Sequence, residues 1–300
     1  MTPAVRRNAW IAWAAVCLIW GTTYLAIKIA LETIPPFLMG GIRYLMGGTI
    51  LALWLVLRGQ TLPPSREWGR LAVLGFLMIA LGNGGVVWAE QYLASGLTAV
   101  VIATSPFWMV AVDSWLPGAE RLSARQWGGL FIGFLGIVML VWPDISLGGG
   151  TGRGIVLGVL SVQVACIGWA IASAYTRRHS GSRNVLGVAA VQMCFGGVFM
   201  TLAGTVMGEW SHLAFSSRTL ASLIYLTLAG SVIAFAAYSY ALRHLPIATV
   251  SLYTYVNPVI AVALGTLLLG EPFRLSMIAA ALVIVVGMLV VRPVRRSPRA

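Results

Sequence analysis

Two cations sit where the rest of the sequence leaves least room for them. The run FLMGGIRYLMGGTILALWLVL, Phe37 to Leu57, is apolar except for Arg43 about a third of the way along, and the run before it carries Lys28. A charge near the middle of a bilayer costs roughly 2.5–3.5 kcal/mol on insertion scales, so each cation is either held by a partner or put to use. For Arg43 two chemistries stay open. One is an internal ion pair with Glu32 or Glu90, which lie at a similar depth, while Lys28 snorkels outward along its stem. The other is an anchor for a carboxylate or phosphate, which a guanidinium fork fits well.

Other polar groups interrupt apolar runs in the same way. Asn83 stands beside Gly82, Gly84 and Gly85; Ser105 precedes Pro106, Ser231 lies alone, and Asn257 precedes Pro258. Each would be costly against lipid, so each is expected to face protein or a cavity. Trp20, Tyr24, Trp169 and Tyr238 lie deep within their runs, where an aromatic wall could stack a flat neutral ring or grip an ammonium. Core packing explains them equally well.

Catalytic chemistry finds little footing. There is no GxxxxGK[ST] for ATP drive and no HExxH, and His179, His212 and His244 are scattered without metal-ligand spacing. No metal and no cofactor is expected. Cys17, Cys166 and Cys194 all fall within apolar runs, as small hydrophobes do, and no disulfide is expected.

The elements that must position these groups are membrane spans. Of 300 residues 59% are hydrophobic and 9% charged, with a mean hydropathy of +0.89, which no soluble domain approaches. Ten runs of about 20 residues, the length that crosses the hydrocarbon, read as spans: 10–30, 36–57, 70–89, 95–115, 125–142, 154–175, 184–207, 219–241, 247–269 and 275–291. The first contains Lys28 and lacks a small-residue cleavage site, so it reads as a retained helix and not a secretory signal.

The net charge of +12 invites a nucleic-acid reading, but the placement of the cations removes it. With the N-terminus inside, fifteen of the twenty Lys and Arg fall on the cytoplasmic side and three outside. That bias places both termini in the cytoplasm and explains the basic balance through topology and anionic lipid. In this topology Glu32, Glu90, Asp144, Glu209 and Glu271 fall near outer ends, and Glu67, Asp113 and Glu120 near inner ones. No carboxylate is expected at mid-membrane depth, which favours facilitated movement over a buried-acid proton relay.

The chain also repeats itself. An offset of 149 brings Cys17 onto Cys166, Trp20 onto Trp169, Gly47 and Gly48 onto Gly196 and Gly197, and Arg43 onto the uncharged Gln192. At 152, Pro106 meets Pro258; at 151, Glu120 meets Glu271 and Gly136 meets Gly287. Five spans per copy is an odd number, so the second copy enters the membrane from the opposite side. The expected halves are 1–145 and 154–292. Inverted repeats commonly build secondary transporters with a site between the halves. Gly129 and Gly133, in GxxxG spacing on the fifth span, are expected to make an internal helix contact.

The segments IWGTTYLAIKIA, YLASGLTAVVIATSPFWMV with GAERLSARQWGGLFIGFLGIVML, and HLPIATVSLYTYVNPVIAVALGTLLLGEPFRLSMIAAALVIVVGMLVV resemble the EamA repeat of the drug/metabolite transporter superfamily. The chain is most similar there to YddG-like exporters of aromatic amino acids. The resemblance implies an all-α integral membrane fold, ten transmembrane helices in two inverted five-helix repeats around a central cavity, with the third, fourth, eighth and ninth helices central. It implies export of aromatic and other neutral amino acids, or similar small metabolites, across the bacterial inner membrane by alternating access, as a uniporter. Proton-coupled antiport, and carriage of nucleosides, drugs or sugar phosphates, stay open. Its partners would be the small-molecule substrate and membrane lipid, with no nucleic acid, and a monomer would suffice. The substrate-binding candidates are Trp20, Tyr24, Lys28 and Arg43 in the first two spans, Asn83 and Trp88 in the third, and Ser105 and Trp108 in the fourth. Gln163 and Trp169 in the sixth, Tyr238 in the eighth and Asn257 in the ninth complete them. Pro106 and Pro258 are the gating candidates.

Overall fold

The computed structural model describes residues 2–115, 123–146, 151–179, 184–245, 250 and 252–291. Within them the chain is helical, and ten spans follow in order. The first is Pro3–Ala30, the second Pro36–Leu57, the third Ser65–Ala89, and the fourth a pair of helices, Ser95–Ile102 and Ser105–Trp115. The fifth is Ala124–Ser146, the sixth Thr151–His179, the seventh Val185–Val206, and the eighth runs from Ser217 to His244 in three pieces. Tyr253–Leu269 and Leu275–Val291 are the ninth and tenth. The first and sixth spans are longer than their apolar runs suggested. The start expected for the ninth at residue 247, and Glu120 of the fourth-to-fifth connection, lie outside the described residues.

Local signals set the ends. Thr2 accepts from Val5 N and Asn184 from Gly187 N, while Ser216 and Thr219 form a capping box. Gly59 and Gly208, counterparts at the offset of 149, follow the second and seventh spans with φ of 70° and 73°. That left-handed turn favours glycine because a Cβ would clash with the backbone.

Packing obeys the repeat. The first span packs on the eighth and ninth, and its counterpart, the sixth, packs on the third and fourth. Second lies on eighth as seventh lies on third, and the second–seventh, fourth–ninth and fifth–tenth pairs join counterparts directly. Glycines let the second–seventh pair close: a Cβ at Gly48 would lie 2.8 Å from Ala190 O, and one at Gly197 would lie 2.7 Å from Leu45 N. In lipid, where no hydrophobic effect drives helices together, such backbone contact supplies the attraction. The GxxxG pair works inside the chain, with Gly287 of the tenth span against Gly129 O and Gly133 N. Trp10, Trp54, Trp68, Trp127, Trp142 and Trp210 remain exposed, as an interfacial belt requires.

Three spans depart from regular helix. Phe76–Asn83 of the third and Leu226–Ile233 of the eighth are π-helical, at the same place in each repeat. Asn83 Nδ2 donates to Met78 O at 3.0 Å and Ser231 Oγ to Leu226 O at 3.2 Å, both five residues back, so each polar side chain serves the widened turn. The fourth span breaks at Ala103–Thr104. Pro106 therefore lies in the first turn of a fresh helix, where its missing N–H costs little, and does not kink a continuous one. Pro258 does lie within its helix.

Candidate substrate site

The π-helical turn of the eighth span gathers side chains from three other spans. Arg43, 3% exposed, donates from Nε to Ser231 Oγ at 3.0 Å. Its Nη2 approaches Gly230 so closely that a Cβ there would lie 3.2 Å away. Trp20 donates from Nε1 to Gly230 O at 3.2 Å. A widened turn tips carbonyls off the helical ladder, and π segments recur at functional sites for that reason. Around Trp20 stand Tyr253 at 4.9 Å between ring centroids, Tyr238 at 5.2 Å and Phe235 at 5.6 Å, with Tyr238 and Tyr253 5.9 Å apart. Edge and tilted contacts of this kind contribute about 0.5–1.5 kcal/mol each beyond area burial.

Arg43 has no carboxylate within ion-pair distance among the described residues, against the ion-pair reading; Glu32 pairs instead with Arg218 at 3.2 Å on the surface. Its guanidinium lies 4.7 Å from the Tyr44 ring, and one described hydrogen bond holds it. Lys28 does not snorkel outward either. Its Nζ donates to the carbonyls of Glu90 at 2.5 Å and Leu93 at 2.8 Å, capping the open C-terminal end of the third span.

The counterpart turn in the third span is neutral. A Cβ at Gly82 would lie 3.5 Å from Trp169 Cε3, so Trp169 meets the third span much as Trp20 meets the eighth. Gln192, in the place of Arg43, is buried with its Nε2 unpartnered. Asn83 is turned to its own backbone.

Between the fourth and sixth spans lies a second polar cluster. Gln163 Oε1 accepts from Trp108 Nε1 at 2.8 Å and from Thr104 Oγ1 at 3.3 Å, leaving its Nε2 buried and unpartnered. Ser105 Oγ meets Cys166 Sγ at 3.2 Å. At the equivalent place Asn257, its amide nitrogen assigned to face two carbonyls, donates to Tyr253 O at 3.0 Å and Cys17 O at 3.1 Å. The counterparts Ser105 and Asn257 thus tie the fourth and ninth spans to the counterparts Cys166 and Cys17.

Tyr24 packs with Ala99 and Ala261, between the fourth and ninth spans. Trp88 stands apart from these clusters. Its ring packs tilted against Tyr92, 4.9 Å between centroids, and lines an open cleft of about 460 Å³ with Phe37, Glu32, Gln91 and His212. That cleft lies at the end of the bundle that the charge bias assigns to the outside. At the same end Glu209 accepts from Phe37 N at 3.2 Å and Leu38 N at 2.8 Å. Glu271 accepts from Ser95 N at 2.8 Å, Ser95 Oγ at 2.9 Å and Gly96 N at 3.2 Å. These two carboxylates satisfy the free N–H groups that start the second and fourth spans. Glu90 lies at that same end, directly after the third span, but its side chain is fully buried. Phe235, Tyr253 and Thr104 were not singled out in the sequence, where nothing separates them from ordinary span residues.

Comparison with known proteins agrees with this architecture. The EamA-like transporter family matches residues 8–142 and again 156–292. An uncharacterized inner membrane transporter of Escherichia coli K12, YedA, is 38% identical over 86% of this chain and 81% of its own. The uncharacterized transporter YvbV of Bacillus subtilis is 26% identical over 96% and 92%. A solved crystal structure superposes with a TM-score of 0.65 at 21% identity, covering 94% of this chain and 96% of its own, which extends the likeness to the fold. Ten spans built from two cross-packed sets of five, and a family match in each, lead to one conclusion: the chain belongs to the EamA-like transporter family of the drug/metabolite transporter superfamily, and is a multi-pass membrane transporter.

Proposed function

We propose that this chain exports aromatic and other neutral amino acids across the bacterial inner membrane by alternating access, with both termini in the cytoplasm. Arg43 holds the substrate carboxylate, and Trp20 with Tyr238, Tyr253 and Phe235 receives the side chain. The observation that carries this reading is the meeting of Arg43 and Trp20 on adjacent residues, Ser231 and Gly230, of one π-helical turn. A buried guanidinium without a carboxylate partner is an expensive arrangement, and an anionic ligand group offsets that cost. One available cation suits a carboxylate. A sugar phosphate calls for paired cations, and the second intramembrane cation, Lys28, already serves backbone carbonyls.

The location draws on the named relatives and the charge bias; the direction comes from the resemblance to exporters. Pro106 and Pro258 are retained as gating candidates because each lies beside a side chain that ties a central span to its neighbour, Ser105 and Asn257. The test is counterflow uptake of labelled phenylalanine, threonine and a sugar phosphate into proteoliposomes holding the purified protein. Phenylalanine exchange that unlabelled phenylalanine saturates supports the reading. Movement of the sugar phosphate alone overturns it.

A further inference from the structure

The widened turn of the eighth span leaves one carbonyl out of the helical ladder. The backbone N–H groups that close the turn bond Ala229 O and Ser231 O, and they pass over Gly230 O between them. A carbonyl passed over in this way needs another donor or a polar cavity beside it. Gly230 O takes the Trp20 Nε1–H at 3.2 Å, a neutral donor from another span, in a bond that is only partly buried. The missing side chain of residue 230 keeps this face of the turn clear, because a Cβ there would lie 3.0 Å from Thr23 Cγ2 and 3.2 Å from Arg43 Nη2. Thr23 is held in place, since its Oγ1 donates to Trp20 O at 2.6 Å. A carbonyl acceptor and a guanidinium donor therefore meet at one glycine. The third span's turn passes over Ala80 O in the same manner, but there the uncharged Gln192 stands in the place of Arg43.

We propose that Gly230 O is the acceptor for the ammonium group of the substrate, and that the Trp20 N–H holds its place in the empty carrier until the ammonium displaces it. The inference rests on Arg43 as the carboxylate anchor: an α-amino acid carries both of its charges on one carbon, and this glycine presents the two complementary groups side by side. Carbonyls released from a broken helix serve as cation ligands in other membrane carriers. A charged N–H donor bonds about twice as strongly as a neutral one, so exchanging indole for ammonium is favourable. Recognition of the amino group then needs no acidic side chain. It selects for N–H protons, not for positive charge alone, and it belongs to the one turn where the passed-over carbonyl has a cation beside it.

The test measures binding of phenylalanine, N-methylphenylalanine, N,N,N-trimethylphenylalanine and 3-phenylpropionate to the full-length protein in detergent. All keep the ring and the carboxylate. Phenylalanine is expected to bind at least about tenfold tighter than phenylpropionate, the worth of a hydrogen bond to a charged group. N-methylphenylalanine adds bulk but keeps two N–H protons, and should bind nearly as well as phenylalanine. The trimethyl compound keeps the charge and has no N–H, so it should fall to the level of phenylpropionate. Trp20→Phe retains a ring and loses the competing donor, and should widen the preference for phenylalanine over phenylpropionate severalfold; the ratio cancels the ring area that both ligands lose. If phenylalanine and phenylpropionate bind alike, or the trimethyl compound binds as tightly as phenylalanine, the inference falls while the carboxylate anchor stands. An unchanged preference in folded Trp20→Phe protein overturns the displacement of the indole. If neither phenylalanine nor phenylpropionate binds, the anchor and the inference fall together. The ligand series uses the native chain, so a Trp20→Phe protein that fails to fold does not remove the test.

Discussion

The π-helical turns of the third and eighth spans occupy equivalent places in the two repeats, yet they are furnished differently. Each receives a tryptophan from the first helix of the other repeat, Trp169 at Gly82 and Trp20 at Gly230. Each carries a polar residue bonded five residues back. Among the described residues only the eighth span adds a buried cation and a cage of rings, because Arg43 faces it where Gln192 belongs to the other side. The shared features are therefore the scaffold's, and the unshared ones are where a substrate would be recognised. A widened turn makes room for a ligand; the side chains around it decide which.

Breaking the charged side should have the largest effect. Arg43→Gln should lower phenylalanine counterflow by about 100-fold, since truncating a buried, hydrogen-bonded charge contact costs ~2–5 kcal/mol. The unfolding temperature should hardly move; a large drop would make the arginine a structural pin. Trp20→Ala should lower apparent substrate affinity about tenfold by opening the ring cage, whereas Trp169→Ala should change it only about twofold. Equal losses would erase the distinction between the turns. Ser231→Ala removes the bond that aims the guanidinium and should raise the concentration for half-maximal counterflow about fivefold, or ~1 kcal/mol, the typical net contribution of one hydrogen bond. The smallest effect belongs to the neutral side. Gln192→Leu deletes a buried amide donor without an acceptor and should stabilise the protein by up to about 1 kcal/mol in thermal unfolding, with transport unchanged.

Much of this was legible in the sequence for a physical reason: lipid penalises polar groups strongly enough to make them stand out. The ten runs, the offset of 149, Arg43 and the counterparts Trp20 and Trp169 all rest on that contrast. The π turns did not show, since Leu226–Ile233 is as apolar as regular helix and differs only in its hydrogen-bond register. Tyr253 and Phe235 were hidden among many aromatics because hydropathy carries no side-chain direction. Glu90 and Lys28 were placed at the right depth and given the wrong surroundings. The carboxylate is buried at the end of its span and the ammonium found backbone carbonyls, and neither choice is encoded in spacing along one helix.

Glu209 and Glu271 carry a last consequence, one that concerns how the chain is made. Both belong to the later half of the sequence, and both complete helix starts in the earlier half, at Phe37–Leu38 and Ser95–Gly96. Translation therefore delivers the second and fourth spans to the bilayer well before the residues that finish them exist. Until then those helix starts rely on headgroup water for their unpaired N–H groups. The first half waits for the second, and the order of synthesis makes assembly of the two repeats a single late event.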